Sequence, residues 1–275
     1  MFQRPAASYR IDFDRVDAAQ VMGDEAQPLA NIVNLVPDGS KVLDVGAGNG
    51  FLGWLFRKVK PGVVVDGIEP SDAGSEVARG HYRTFRTAFV QDVKAEILKE
   101  SYDYIVLADV VEHVQDPLGF LRDLTDGLSD RTKVVLSIPN VAHYSVRLAI
   151  LNGGFRYVDS GLLERTHIRF FTLATIEEMV KALGWSVEAL HHLKRYVASD
   201  VERPTYGPGA WGLARMLRDR SALTYQYLLV LTRRSCDRVE TERGRLPWRH
   251  AVRAFLMEWC RPLWRGLSAL RRAGR

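Results

Sequence analysis

Cysteine is almost missing from this chain: Cys236 and Cys260 are the only two in 275 residues, with no partner spacing. A disulfide framework and a zinc cluster built on cysteine are thereby excluded. No apolar run approaches the roughly 18 to 20 residues that span a bilayer. The opening stretch MFQRPAASYRIDFDRV carries charges where a signal peptide needs an apolar core, so a cytoplasmic chain is expected. Internal repeats are lacking. So is a strong charge of one sign, the formal net being +5. That excess is concentrated at the end, where Arg238 to Arg275 holds ten arginines against Glu240, Glu242 and Glu258. The remainder is slightly acidic, and without a basic groove nucleic acid is not an expected partner. With 47% hydrophobic and 26% charged residues, disorder is not the default.

What is present is an alternation of short apolar strands with helical segments. Leu29, Ile32, Val33 and Val36 fit one helical face, ended by Pro37-Asp38-Gly39. Strands are expected at Lys41 to Val45, Gly62 to Ile68, Thr87 to Gln91, Tyr102 to Ala108, Lys133 to Ile138, Val187 to Leu190 and Gln226 to Leu231. Helices are expected at Phe51 to Val59, Ala73 to Arg79, and from Pro117, whose missing N–H is not needed in a first turn. Thr172 caps another that runs through Leu183 to Gly184, with Glu177 and Glu178 in its first turns. Such alternation implies crossover connections: an α/β fold with a doubly wound, mostly parallel seven-stranded sheet. Residues 1–26 form a lead segment, 27–234 the main domain, and 235–275 a basic tail. Within the domain, 141–171 breaks the alternation as an insertion after strand five, over the carboxyl end of the sheet.

The run Val42-Leu43-Asp44-Val45-Gly46-Ala47-Gly48-Asn49-Gly50 puts three glycines where a strand turns into a helix. Glycine there permits positive φ and close backbone approach to a ligand, at the strand end where open α/β sheets bind ligands. A dinucleotide fingerprint requires G-x-G-x-x-G, but its last position falls on Phe51, which disfavours an NAD-dependent oxidoreductase. Glu69 closes the second strand, where an acid accepts both ribose hydroxyls of an adenosine.

The spacing G-x-G-x-G after Asp44 resembles motif I of the class I S-adenosylmethionine (SAM)-dependent methyltransferases. That resemblance implies SAM as cofactor, bound by Asp44, Gly46, Ala47, Gly48, Gly50 and Glu69. It further implies Asp92 near the adenine amino group, and Ala108 and Asp109 beside the methionine part. Leu107 to Pro117 resembles the segment after strand four in the ubiquinone-type O-methyltransferases. Ser137-Ile138-Pro139-Asn140-Val141-Ala142-His143 and Gly161 to Thr172 resemble a bacterial methyltransferase family associated with surface-glycan biosynthesis. The likeness covers about residues 28 to 190. The acceptor it implies is a small or lipid-linked saccharide hydroxyl. A quinone or other small aromatic, and a non-catalytic SAM-binding scaffold, are the alternatives.

Asp109, Glu112 and His113 stand at i, i+3 and i+4, one face if the chain turns helical after strand four. With His167 they form a candidate divalent-metal site for Mg, Mn or Zn, imidazole with carboxylate suiting zinc or manganese. This resembles metal-dependent 2′-O-methyltransferases of small-RNA ends, departing from them by a shorter aspartate at the first position. The alternative is that Asp109 binds cofactor while Glu112 and His113 fix the loop. Without a metal, His113, His143 or His167 is the candidate general base. Tyr144, Phe155, Tyr157, Phe170 and Phe171 are candidate walls of an acceptor pocket, or core of the insertion. In the tail, Trp248, Phe255, Leu256, Trp259, Leu263, Trp264 and Leu267 lie among arginines. That suits a helix on an anionic membrane surface, on the inner face of the membrane, or one docked on its own domain or a partner enzyme.

Overall fold

The computed structural model describes residues 11–196, 201, 216 and 219–234. The tail 235–275, with both cysteines and its tryptophans, lies outside the described residues. The strands are β1 (Lys41–Val45), β2 (Val64–Ile68), β3 (Phe85–Arg86), β4 (Tyr104–Ala108), β5 (Lys133–Pro139), β6 (Ser186–Lys194) and β7 (Thr224–Thr232). The helices are α1 (Ala18–Met22), α2 (Pro28–Leu35), α3 (Phe51–Val59), α4 (Asp72–Ala78), α5 (Lys94–Ile97), α6 (Pro117–Thr125), α7 (Tyr144–Leu151) and α8 (Leu173–Leu183).

The strands form one seven-stranded sheet in the order β3-β2-β1-β4-β5-β7-β6. β1 pairs in parallel with β2 and β4, β2 with β3, and β4 with β5, whereas β7 runs antiparallel to β5. The order reverses between β1 and β4, so the crevice at their carboxyl ends is the switch point where such sheets take ligands.

Both faces of the sheet are buried, as parallel strands require. Leu43, Ile105, Leu107, Leu136 and Leu229 face one way, onto Leu121 and Leu124 of α6 and Ile176 and Val180 of α8. Val42, Val106, Val135, Leu228 and Val230 face the other way, onto Ile32 and Val33 of α2 and Leu52, Leu55 and Phe56 of α3. This period of two decides which chemistry each strand residue can reach. Asp44 falls on the α3 side.

Helix ends obey local chemistry. α3 follows Gly50, which is left-handed at φ 82, and carries Arg57 and Lys58 in its last turn where they suit the dipole. α8 starts at a capping box of Thr172 with Thr175 and ends at left-handed Gly184. Glu177 and Glu178, expected in the first turns, lie beyond the first one, which carries no acid. Within the expected lead segment 1–26, residues 11–22 pack against the sheet domain. Phe13 lies 5.6 Å from Trp54 and 4.4 Å from His81 between ring centroids, and Val16, Val21 and Met22 pack on the α3 face.

The chain divides into two compact units. Among the described residues the first comprises 11–139, 166–193 and 226–234, and holds the sheet core. The second joins 140–165 to 194–196, 201, 216 and 219–225, so the insertion shares its unit with residues that lie between β6 and β7 in the chain. In it Tyr144, Leu148, Ala222 and Leu223 form a small core. Asn140, fully buried, donates to the Ser221 and Thr224 carbonyls at 3.0 and 2.7 Å. Among the described residues no helix is long and apolar enough to cross a membrane.

Candidate active site

The loop after β1 is fixed by backbone bonds before any ligand arrives. The N–H groups of Gly46 and Ala47 both donate to the Ile68 carbonyl, at 2.8 and 3.0 Å, tying it to the end of β2. Gly46 and Gly50 have φ of 76° and 82°. A Cβ on Gly46 would lie 2.8 Å from a Val110 methyl of the loop after β4, and one on Gly50 would lie 2.7 Å from the Ala78 backbone. Neither site has room for a side chain. At Gly48, also left-handed, a Cβ would meet nothing within 4 Å. Its N–H instead donates to Glu69 Oε2 at 2.8 Å, and Ser71 N–H donates to Glu69 Oε1 at 2.9 Å. Each oxygen of Glu69 thus accepts a backbone N–H.

Asp44 is 2% exposed, and Tyr82 donates its phenolic O–H to Asp44 Oδ2 at 2.6 Å. Burial pushes the Asp44 carboxyl up to about 7, the Tyr82 hydrogen bond works against that, and the Glu69 charge adds to it. Tyr82 itself is held well above the ordinary phenol range by burial and by the Asp44 charge.

Across the switch point, Asp109 adopts φ 56, the one non-glycine residue with positive φ among those described. The kink stops a helix from starting, and Val111–His113 forms a 3-10 turn instead. The expected i, i+3, i+4 face is therefore not built. The Asp109 carboxylate accepts from Gln226 Nε2, which also donates to Ser137 Oγ at 2.6 Å. Of the four expected metal ligands, Glu112, His113 and His167 come together, with ligand atoms within 4.8 Å of one another, and Asp109 stands outside the trio.

The trio is strapped by backbone. Ile168 and Arg169 N–H both donate to the Glu112 carbonyl, at 2.9 and 3.0 Å. His113 Nδ1 donates to the Thr166 carbonyl at 2.9 Å, which selects the tautomer with its lone pair on Nε2. The His113 and His167 rings lie 4.9 Å apart, and His167 Nε2 is 4.0 Å from Glu112 Oε1. Glu112 is 1% exposed and His167 5%. A carboxylate and two imidazoles, with Glu112 and His167 buried and His113 half-buried, can share a proton or a divalent cation.

His143, the third candidate base, has a different task. It belongs to the second unit, is fully buried, and caps α7. Its Nε2 donates to the Arg195 carbonyl at 2.9 Å and its Nδ1 pairs with Ser145 Oγ at 2.8 Å, so both ring nitrogens are engaged. Asp92 is exposed on the 3-10 turn Val90–Val93, because the third strand is Phe85–Arg86 and residues 87–91 are not strand. Of the aromatics, Tyr144 and Phe171 are core, Phe170 is half-buried, and Phe155 and Tyr157 are exposed. Sequence reasoning missed Tyr82 and Gln226. The signal for Tyr82 was glycine inside a helix at Gly53 and inside a strand at Gly67, positions that mark a close neighbour.

With this geometry established, comparison with known proteins gives a consistent result. A family model described as a methyltransferase domain matches residues 18–190. A ubiquinone biosynthesis O-methyltransferase of Azorhizobium caulinodans is 28% identical over 187 residues, 66% of this chain and 70% of that protein. One from Xanthomonas axonopodis is 31% identical over 139 residues, 48% of this chain and 56% of that protein. Among solved structures, a SAM-dependent methyltransferase from Archaeoglobus fulgidus superposes with a TM-score of 0.53 at 15% identity, over 79% of this chain and 95% of that one. One from Aquifex aeolicus gives 0.50 at 13%, over 83% and 98%, and at such identities the likeness is one of fold.

Proposed function

The chain belongs to the class I SAM-dependent methyltransferases, and from that premise we propose that it transfers the methyl group to a hydroxyl oxygen. SAM supplies the methyl on a sulfonium. Asp44, Gly46, Ala47, Gly48 and Gly50 form the cofactor loop, Glu69 takes the ribose hydroxyls, and Asp92 lies on the adenine side. Ala108 and Asp109 border the methionine part. An acid-lined pocket suits a cationic cofactor.

The single observation that carries oxygen as acceptor is the trio Glu112, His113 and His167 beside the switch point. A hydroxyl must lose its proton as the methyl arrives, and a histidine, oriented here by the Thr166 carbonyl at its Nδ1, can take it. One carboxylate and two imidazoles also fit a divalent ion, zinc or manganese before magnesium. Glu112, His113 and His167 would hold such an ion, whose Lewis-acid chemistry, when bound, would lower the pKa of the acceptor hydroxyl.

The acceptor we propose is a saccharide hydroxyl of cell-envelope glycan assembly, supported by the Ser137 to His143 and Gly161 to Thr172 segments. A phenolic hydroxyl is the second reading, favoured by the activity named for the Azorhizobium and Xanthomonas relatives. The excess of arginine in 235–275 supports a peripheral site of action on the cytoplasmic membrane face or beside a partner enzyme. The test is transfer of isotope-labelled methyl from SAM to sugar nucleotides, lipid-linked saccharides and catechols, each with and without chelator. Label on a saccharide supports the first reading and label on a catechol alone the second. Transfer only to amines or carbon overturns the hydroxyl assignment.

A further inference from the structure

Two glycines stand where regular structure disfavours them, Gly53 within α3 and Gly67 within β2. Glycine inside a helix costs about 1 kcal/mol relative to alanine. Both border one side chain. A Cβ on Gly53 would lie 2.7 Å from Cε1 and Cζ of Tyr82, and one on Gly67 would lie 3.0 Å from Tyr82 Cδ1 and 2.7 Å from Phe85. The Tyr82 ring fills the slot they leave, with Phe85 at 5.3 Å between centroids. Its hydroxyl emerges at Asp44, with which Gly67 is in register on the neighbouring strand.

We propose that Tyr82 is a positioning residue of the methyl-donor site, seated by Gly53 and Gly67 so that its hydroxyl holds the Asp44 carboxylate in place for the cationic end of SAM. The inference rests on the proposal that Asp44 serves the cofactor. The surroundings of Asp44 leave this task to few groups. β2 presents Glu69, β4 presents Val106 in register, and the segment after α4 presents Tyr82, with His81 close to Gly50. Glu69 repels the Asp44 charge, and Tyr82 is the group that donates to it and favours its ionised form. Removing the hydroxyl takes away the bond that holds Asp44 Oδ2, so the carboxyl is both less firmly placed and more often neutral near pH 7, and such a carboxyl attracts the cofactor's ammonium less.

The experiment is calorimetric titration with S-adenosylhomocysteine, which keeps that ammonium, from about pH 6 to about pH 9. Wild type is compared with Tyr82→Phe, Asp44→Asn and the double variant. Phenylalanine keeps the ring in its slot. We expect Tyr82→Phe to bind about tenfold more weakly near neutral pH. Its affinity rises at a pH about one higher than wild type's and converges with it at the alkaline end. In the Asp44→Asn background the pH-dependent part of the effect vanishes. Gly53→Ala, which crowds the ring without touching the hydroxyl, gives the same upward displacement. Wild-type affinity and midpoint in Tyr82→Phe overturn the proposal. So does an equal loss at every pH that persists in the double variant, which marks a packing role. If wild type itself fails to bind, or Asp44→Asn binds as tightly, the cofactor reading of Asp44 falls first and takes this inference with it.

Discussion

Gly48 donates its backbone N–H to Glu69 across the end of the sheet, at 2.8 Å, while Ser71 N–H holds the other carboxylate oxygen at 2.9 Å. Both donors are backbone, so both oxygens must remain acceptors. Glu69→Gln, usually a mild change, sets an NH2 group against an N–H here. It is expected to weaken S-adenosylhomocysteine binding by tenfold or more and to lower stability by about 1 kcal/mol. Calorimetric titration and a denaturant melt measure the two effects. Unchanged affinity would remove Glu69 from the cofactor site.

On the same strand Asp66 is fully buried and takes four donors. They are Arg83 Nε at 2.9 Å, Arg83 Nη2, Tyr102 O–H at 2.9 Å and Thr84 N–H at 3.0 Å. Burial pushes its carboxyl up, but the hydrogen bonds of Arg83, Thr84 and Tyr102 and the Arg83 charge together carry it below the ordinary value. A lowered folded pKa gives stability that is present above the unfolded value near 3.9 and is lost as pH falls through the folded one. Arg83→Met should cost about 2 kcal/mol at neutral pH, a figure discounted because the Arg83 side chain is 45% exposed. It should also flatten the loss of stability in acid. Thermal melts of both proteins over the acid range check this.

The parts of this fold that could be read from residues are those whose causes are local. β1, α3 and α8 lie where apolar spacing and their terminators placed them, because Gly50, Thr172 and Gly184 act within a turn of the helix they bound. β3 lies at Phe85–Arg86 and not at 87–91, because its two residues carry no pattern of their own and are strand only through pairing with β2. α7 was missed because it packs on Ala222 and Leu223, more than seventy positions away. In the site, the glycine loop and Glu69 were legible as a motif. Tyr82 and Gln226 were not, since they reach Asp44 and Asp109 across 38 and 117 positions. Asp109 faces Gln226 and not Glu112 and His113, because nothing local announces its positive φ.

The trio makes a separate prediction. If it holds a divalent ion, zinc or manganese should bind at one equivalent, and His167→Ala and Glu112→Gln should each abolish that binding while leaving S-adenosylhomocysteine affinity intact. Chelator should then suppress methyl transfer by at least a hundredfold. If no ion binds, transfer should survive chelator and show an acid limb from a histidine, absent in His113→Gln. Metal titration and a rate–pH profile on the same preparation separate the two mechanisms.

Asp44 opposes stability where it serves binding. Burial raises its carboxyl to about 7, so the folded protein holds a proton between about pH 4 and pH 7 that the unfolded chain has released. Stability therefore falls as pH rises through that window. Above it the buried charge costs up to about 4 kcal/mol, because each tenfold change in proton affinity between the two states is worth about 1.4 kcal/mol. Asp44→Asn keeps the shape, still accepts from Tyr82, and carries no charge to desolvate. The variant should be more stable than wild type above pH 7 by a few kcal/mol and close to it near pH 4, while its affinity for SAM drops. Denaturant melts at the two pH values, paired with cofactor titration, test both halves. A variant less stable than wild type at high pH would mean that the ionised carboxylate is held by contacts stronger than the Tyr82 hydrogen bond.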